Sequence, residues 1–180
     1  MSSQVINSYR FASAEINVCS TETVNDYHAM PEGGSMNYGI KESGSYGMIG
    51  ETVASVTFYL AKYNCAYTMS GTLSAYVGSS GDYTLIGTAN SATVLTSCPQ
   101  PDFSGFDAIK FTGSGTRLLS SGDYIWVSHP SGGAGNLCAI PTNTSGAQSG
   151  TNGMWRGGDY PPTGTQFSTT SIKQCVSNVA

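Results

Sequence analysis

Between residues 55 and 129 apolar and polar positions alternate with a period of two, in short runs separated by turns. The run Ser55-Val-Thr-Phe-Tyr-Leu-Ala-Lys62 puts Val56, Phe58 and Leu60 on one side, and Thr57 and Tyr59 on the other. The run from Ser70 to Gly78 repeats the pattern, with Leu73, Ala75 and Val77 opposed to Thr72, Ser74 and Tyr76. This is the period of half-buried antiparallel strands. Three further runs, Asp82–Gly87, Phe106–Thr112 and Asp123–His129, predict strands of the same kind. Between them, Ser79-Ser-Gly-Asp82, Gly113-Ser-Gly115 and Ser120-Ser-Gly-Asp123 supply the small and left-handed residues that hairpin turns require, which makes helices costly here.

The flanks are less regular. Val5 to Ser13 alternates weakly and predicts an opening strand that Ile16 to Cys19 continues after a bend. Thr21 to Tyr46 collects Pro31, Gly33, Gly34, Gly39 and Gly44 with little periodicity, and reads as a long loop with at most one short strand. After Pro130 the chain turns to Gly, Asn, Thr and Pro, interrupted by Leu137–Ile140 and Met154–Arg156 as two short strands. Gln166 to Ser177 alternates again and predicts a closing strand. The fold class is therefore all-β: an antiparallel β-sandwich of jelly-roll type over residues 47–180, whose end strands pair. Residues 1–46 form an N-terminal strand and a loop-rich arm that packs on the core or on a neighbouring subunit.

Composition narrows the partners. Charged residues make up 10% of the 180, against about 25% in an average soluble protein, and Ser, Thr and Gly take their place. With a net charge of −4 and no two of the seven basic residues adjacent, no stripe exists to neutralise a phosphate backbone, so nucleic acid is excluded. No apolar run approaches the roughly 18 residues of a membrane span, and membrane insertion is not expected. The first ten residues lack a basic segment followed by an apolar one, so work outside a cell implies a removed leader or exit by lysis.

Candidate chemistry is sparse. Cys19, Cys65, Cys98, Cys138 and Cys175 form no C-x-x-C pair, which argues against zinc and redox motifs. They read either as buried small hydrophobes or as one or two disulfides with a thiol left over. His28 and His129 are the available imidazoles, and neither sits in a nucleophile motif; Gly132-Gly-Ala-Gly135 lacks the strand-to-helix setting of a phosphate loop. No catalytic residues are assigned, and a non-enzymatic protein is expected.

A contact surface is expected instead at Met154-Trp-Arg-Gly-Gly-Asp-Tyr160. Trp155 and Tyr160 offer flat faces with polar tips, Arg156 and Asp159 offer charged hydrogen-bonding groups, and the paired glycines allow close backbone approach. Such a platform suits sugar rings and protein interfaces alike. The competing reading has Trp155 plugging one end of the sandwich and Arg156 pairing with Asp159. No cofactor is expected; a structural Ca2+ would draw on Asp102, Asp107 and Asp159, which no D-x-D pattern clusters and which read as turn residues. Asn143-Thr-Ser145 matches a glycosylation acceptor.

The succession Ser55-Val-Thr-Phe-Tyr-Leu, Gly71-Thr-Leu-Ser-Ala-Tyr-Val77, Leu85-Ile-Gly-Thr-Ala89 and Leu119-Ser-Ser-Gly-Asp-Tyr-Ile-Trp-Val127 resembles the jelly-roll β-sandwich modules of phage and other viral structural proteins. Similar modules occur in secreted carbohydrate-binding proteins. The likeness spans about residues 50 to 175 and consists of strand and turn grammar. It implies that Tyr124 and Trp126 belong to a core strand, as packing residues or ligand contacts. It further implies a capsid decoration, fibre or spike subunit on the virion surface, partnered by copies of itself and by capsid or surface proteins. The cysteines and the long segment before residue 46 depart from that pattern. Two other functions remain open: an extracellular or cell-surface carbohydrate-binding module, and a self-assembling filament subunit that exchanges its arm.

Overall fold

The alternation is spent as a buried and an open face. In β4 (Thr52–Lys62), Val56, Phe58 and Leu60 are fully buried while Thr57 and Tyr59 are only partly covered; in β5 (Thr72–Ser79), Leu73, Ala75 and Val77 are buried. The computed structural model describes residues 14–30, 37–66, 68–129, 138–158 and 160–180. Over these the chain forms thirteen strands and one helical turn, α1 (Ser91–Val94). The expected opening strand Val5–Ser13 and the Gly132–Gly135 run lie outside the described residues.

The strands form two antiparallel sheets. The first runs β1 (Asn17–Cys19), β13 (Gln174–Ser177), β4, β9 (Cys138–Asn143), β12 (Ser171–Ile172), with β2 (Asp26–Met30) also on β9 and β7 (Asp107–Leu118) on the other edge of β4. The second runs β11 (Thr165–Phe167), β10 (Thr151–Gly157), β3 (Asn37–Glu42), β8 (Tyr124–Ser128), β5, β6 (Asp82–Asn90). One apolar core joins them, with Val56, Phe58 and Phe111 from the first sheet meeting Ile40, Leu73 and Ile125 from the second. The protein is thus a β-sandwich. Along one side the sheets nearly touch: a Cβ on Gly87 of β6 would lie 2.3 Å from the amide nitrogen of Thr112 on β7. Only glycine permits that approach.

Three expectations need correction. The stretch Thr21–Tyr46, read as loop, contains β2 and β3, and β3 lies inside the second sheet between β10 and β8. Its pattern is disguised because its inward set is Tyr38, Ile40 and the acidic Glu42. Its outward Gly39 faces Trp126 so closely that a Cβ would come within 2.5 Å of the Trp126 Cβ. Gly113-Ser-Gly115 is no hairpin turn but part of a bulge inside β7, where pairing with β4 steps from Ser55↔Thr112 to Val53↔Arg117. The tail Gln166–Ser177 is not one strand: β11 belongs to the second sheet and β12 and β13 to the first, with the crossing made by a turn in which the Thr170 amide donates to the Phe167 carbonyl.

The other turns follow the sequence. Ser80 and Gly81 join β5 to β6, with Gly81 at φ +77. Before β8, the Asp123 carboxylate accepts from the Ser120 amide at 3.0 Å. The first and last described strands, β1 and β13, pair and are cross-linked by Cys19–Cys175 with a Cα–Cα distance of 4.0 Å; Cys65–Cys98 forms a second disulfide, and Cys138 is a buried thiol.

Candidate site on the outer face of the six-stranded sheet

Strand β8 is buried at all five positions, although only Ile125 and Val127 face the core. Tyr124, Trp126 and Ser128 point outward and are covered by other side chains. In register beside Trp126 lie Gly39 of β3 and Tyr76 of β5; Trp155 of β10 is opposite Gly39. Trp126 and Tyr76 stack at 5.3 Å between ring centroids, and Tyr83 and Tyr160 close over them edge-on, 5.5 and 6.3 Å from the indole. A second group adjoins: Tyr124 meets Trp155 edge-to-face at 5.7 Å, and the Lys41 ammonium lies 5.1 Å from the centre of the Tyr124 ring and 5.7 Å from that of Trp155. Offset and edge-on pairs of this kind add about 1 kcal/mol each beyond the area they bury, and a cation over a ring adds a similar amount.

The result is an aromatic platform outside the core. Trp126 is fully buried beneath it, while Tyr83 remains 44% exposed at its rim. The Tyr160 hydroxyl and the Ser128 hydroxyl share a hydrogen bond of 2.7 Å, which fixes the ring over Trp126. Burial raises the pKa of the Tyr76 phenol. The opposite outer face differs: Thr57, Tyr59, Lys110 and Ser177 line a polar groove of about 200 Å³ on the first sheet.

Of the four contact residues expected from sequence, the structure brings Trp155 and Tyr160 to this one face. Arg156 is turned away by strand alternation. It lies against the Tyr38 hydroxyl and the Phe167 ring, 5.1 Å from the ring centre, at the seam where His28 of β2 also sits. There, burial and the nearby guanidinium lower the His28 pKa, against the pull of Asp26. Asp159 lies outside the described residues. Gly157 does not open a path to a ligand: a Cβ on it would lie 2.8 Å from the Gly164 nitrogen, so it lets the base of the connection to β11 close.

Of the residues that complete the platform, Tyr124 and Trp126 were expected as packing residues or ligand contacts of a core strand, whereas Tyr76, Tyr83 and Lys41 fell outside the expected contact set. A signal was present: Tyr76 sits on the face of β5 that alternation marks as polar, and Tyr124 and Trp126 share one face of β8. Large aromatics on an outward face need cover or a partner.

The remaining polar candidates serve structure. Burial opposes ionisation of Asp107, yet hydrogen bonds from the amides and hydroxyls of Ser97 and Thr96 hold its pKa low. Asp102 accepts from the Ser104 hydroxyl and amide, which lowers its pKa, and closes a turn. His129 donates from Nε2 to the Ser70 carbonyl at 3.0 Å. That leaves Nδ1 as acceptor for the Cys138 thiol at 3.6 Å, in a pair that is fully enclosed. Among the described residues no three His, Cys, Asp or Glu gather as metal ligands, and no helix is long and apolar enough to cross a membrane. Comparison with known proteins gives no relative on which to rest a family: no family model, curated protein or solved structure matches the chain.

Proposed function

We propose that the protein is a non-enzymatic attachment module, a sandwich of jelly-roll type that binds glycans through the outer face of its six-stranded sheet. The aromatic platform carries this reading. Sugar rings present flat C–H faces that stack on aromatic rings, and their hydroxyls pair with phenol tips and with a lone ammonium such as that of Lys41. The hydroxyl-rich, weakly charged composition suits an uncharged polymer. Two disulfides suit an oxidising, extracellular setting.

A second reading, the capsid decoration, fibre or spike subunit of a virion surface, is favoured by one further observation. Tyr27 of β2, with Tyr63 just past β4 and Phe106 just before β7, forms a second aromatic group at the other sheet, with Tyr63 42% exposed. A subunit that contacts neighbours on two sides carries two such patches.

Glycan-array binding and light scattering of the purified chain, beside Tyr83→Ala and Trp155→Ala, test both readings. Retention of a glycan class by a monomer, weakened about tenfold in each variant, supports the first. A closed oligomer that dissociates in Tyr83→Ala or Tyr63→Ala supports the second. Monomers that bind no glycan overturn both.

A further inference from the structure

The groove on the outer face of the first sheet is built by a contrast of side-chain size. Strands β1, β13, β4 and β7 lie side by side, with Cys19, Cys175, Thr57 and Lys110 in one row and Asn17, Ser177, Ser55 and Thr112 in the next. At about 4.8 Å per spacing the four strands span about 14 Å. Small side chains, Ser55, Thr57, Cys175 and Ser177, make the floor, and the longer Glu15, Tyr59 and Lys110 rise around it to enclose about 200 Å³. A trough of that length suits a short chain of sugar rings better than a single ring.

Part of the floor is already engaged. The Ser55 hydroxyl donates to the Val179 carbonyl at 2.6 Å, and the Val179 amide donates to the Ser177 hydroxyl at 3.1 Å. The groups left open to the groove are the Thr57 hydroxyl, the Tyr59 phenol and the Asn17 amide, all on partly or fully exposed residues.

Positive charge gathers at one end. Lys173 of the link into β13 is level with Tyr59, and its ammonium lies 4.6 Å from the centre of that ring. Lys110 comes from β7, on the other flank of β4. The ion pairs among the described residues all belong to Arg117, so neither lysine has a carboxylate partner there. In a chain of net charge −4 with seven basic residues, two uncompensated ammonium groups beside one groove are a local reversal of sign. Their strands stand about 10 Å apart across β4, which suits successive anionic groups along a chain rather than one small ion. Glu15 lies at the far end, before β1, where its carboxylate can accept sugar hydroxyls.

We propose that this groove is a second binding site, on the opposite face from the aromatic platform, for an acidic oligosaccharide whose carboxylates are those of uronic acid residues. Lys110 and Lys173 donate charge-assisted hydrogen bonds to the carboxylates. Tyr59 packs against a ring, and Thr57 and Asn17 pair with hydroxyls. The site shares no residue with the platform and stands whether or not the platform binds glycans.

The test titrates the full chain, by calorimetry at low salt, with trisaccharides of galacturonic, glucuronic and mannuronic acid and with their methyl esters. At least one acid should bind, at least tenfold more tightly than its uncharged ester, and weaken as salt is raised. Lys110→Gln and Lys173→Gln should each weaken it about three- to tenfold. Lys62→Gln, which removes the same charge outside the groove, should leave the affinity unchanged. No binding of any of the acids, equal binding of acid and ester, or the same loss in Lys62→Gln as in Lys110→Gln would each overturn the proposal. Loss of acid binding in Tyr83→Ala with wild-type affinity in Lys110→Gln would also overturn it, by moving the ligand to the platform.

Discussion

At the scale of single residues, Glu42 is the group most at odds with its surroundings. Burial, and secondarily the charge of Asp123, push its pKa up to about 9, against about 4.3 in an unfolded chain. The folded state then holds a proton that the unfolded state has lost. The stability this group contributes is present in full below about pH 4.3 and is lost as pH rises toward 9. Glu42→Gln should therefore flatten the fall in stability between pH 5 and 8 and stabilise the protein at pH 8 by a few kcal/mol, as read by urea denaturation across that range. A variant less stable than wild type at pH 8 would place a counter-charge beside Glu42. Nothing in the sequence announced this residue, because a Glu at the end of a Gly-containing hexapeptide reads as surface. Trp155 and Tyr160 stand out locally as aromatics beside glycines, and the structure puts both rings on the platform face. Arg156 lies away from them because adjacent strand residues face opposite ways, which its place in a strand beside Trp155 already implies.

At the scale of elements, the contact between β6 and β7 is made by backbone rather than by side chains. Gly87→Ala forces a Cβ onto the Thr112 amide and should cost about 3 kcal/mol through overpacking. Gly81→Ala, at φ +77 with open space around it, should cost only about 1 kcal/mol from its left-handed backbone. Thermal melts of the two variants check the order; equal losses would mean that the sheets separate readily at that seam. Strands β4, β5 and β8 were readable because their inward positions are uniformly apolar. Strand β3 was not, since its neighbours Trp126 and Ile125 supply the reason for Gly39, and they lie more than eighty residues away. The same limit hid the bulge in β7, where glycines that mimic a turn serve a register shift.

At the scale of the whole molecule, the N-terminal strands are structural members. β3 separates β10 from β8, and it buries Tyr38 and Ile40, while β2 buries Met30. Deletion of residues 1–46 should therefore abolish the cooperative unfolding transition, measured by calorimetry and near-ultraviolet circular dichroism. A truncated chain that melts cooperatively would show that the second sheet closes without β3. The sandwich class was legible because alternation is a local signal; strand order was not, because it depends on pairings such as Cys19 with Cys175 that local pattern does not encode. That last pairing also sets how the molecule bears load. Tension that enters before residue 19 and leaves after residue 175 runs through a covalent bond, bypassing every strand between, so the core and its aromatic face stay slack while the tether is pulled.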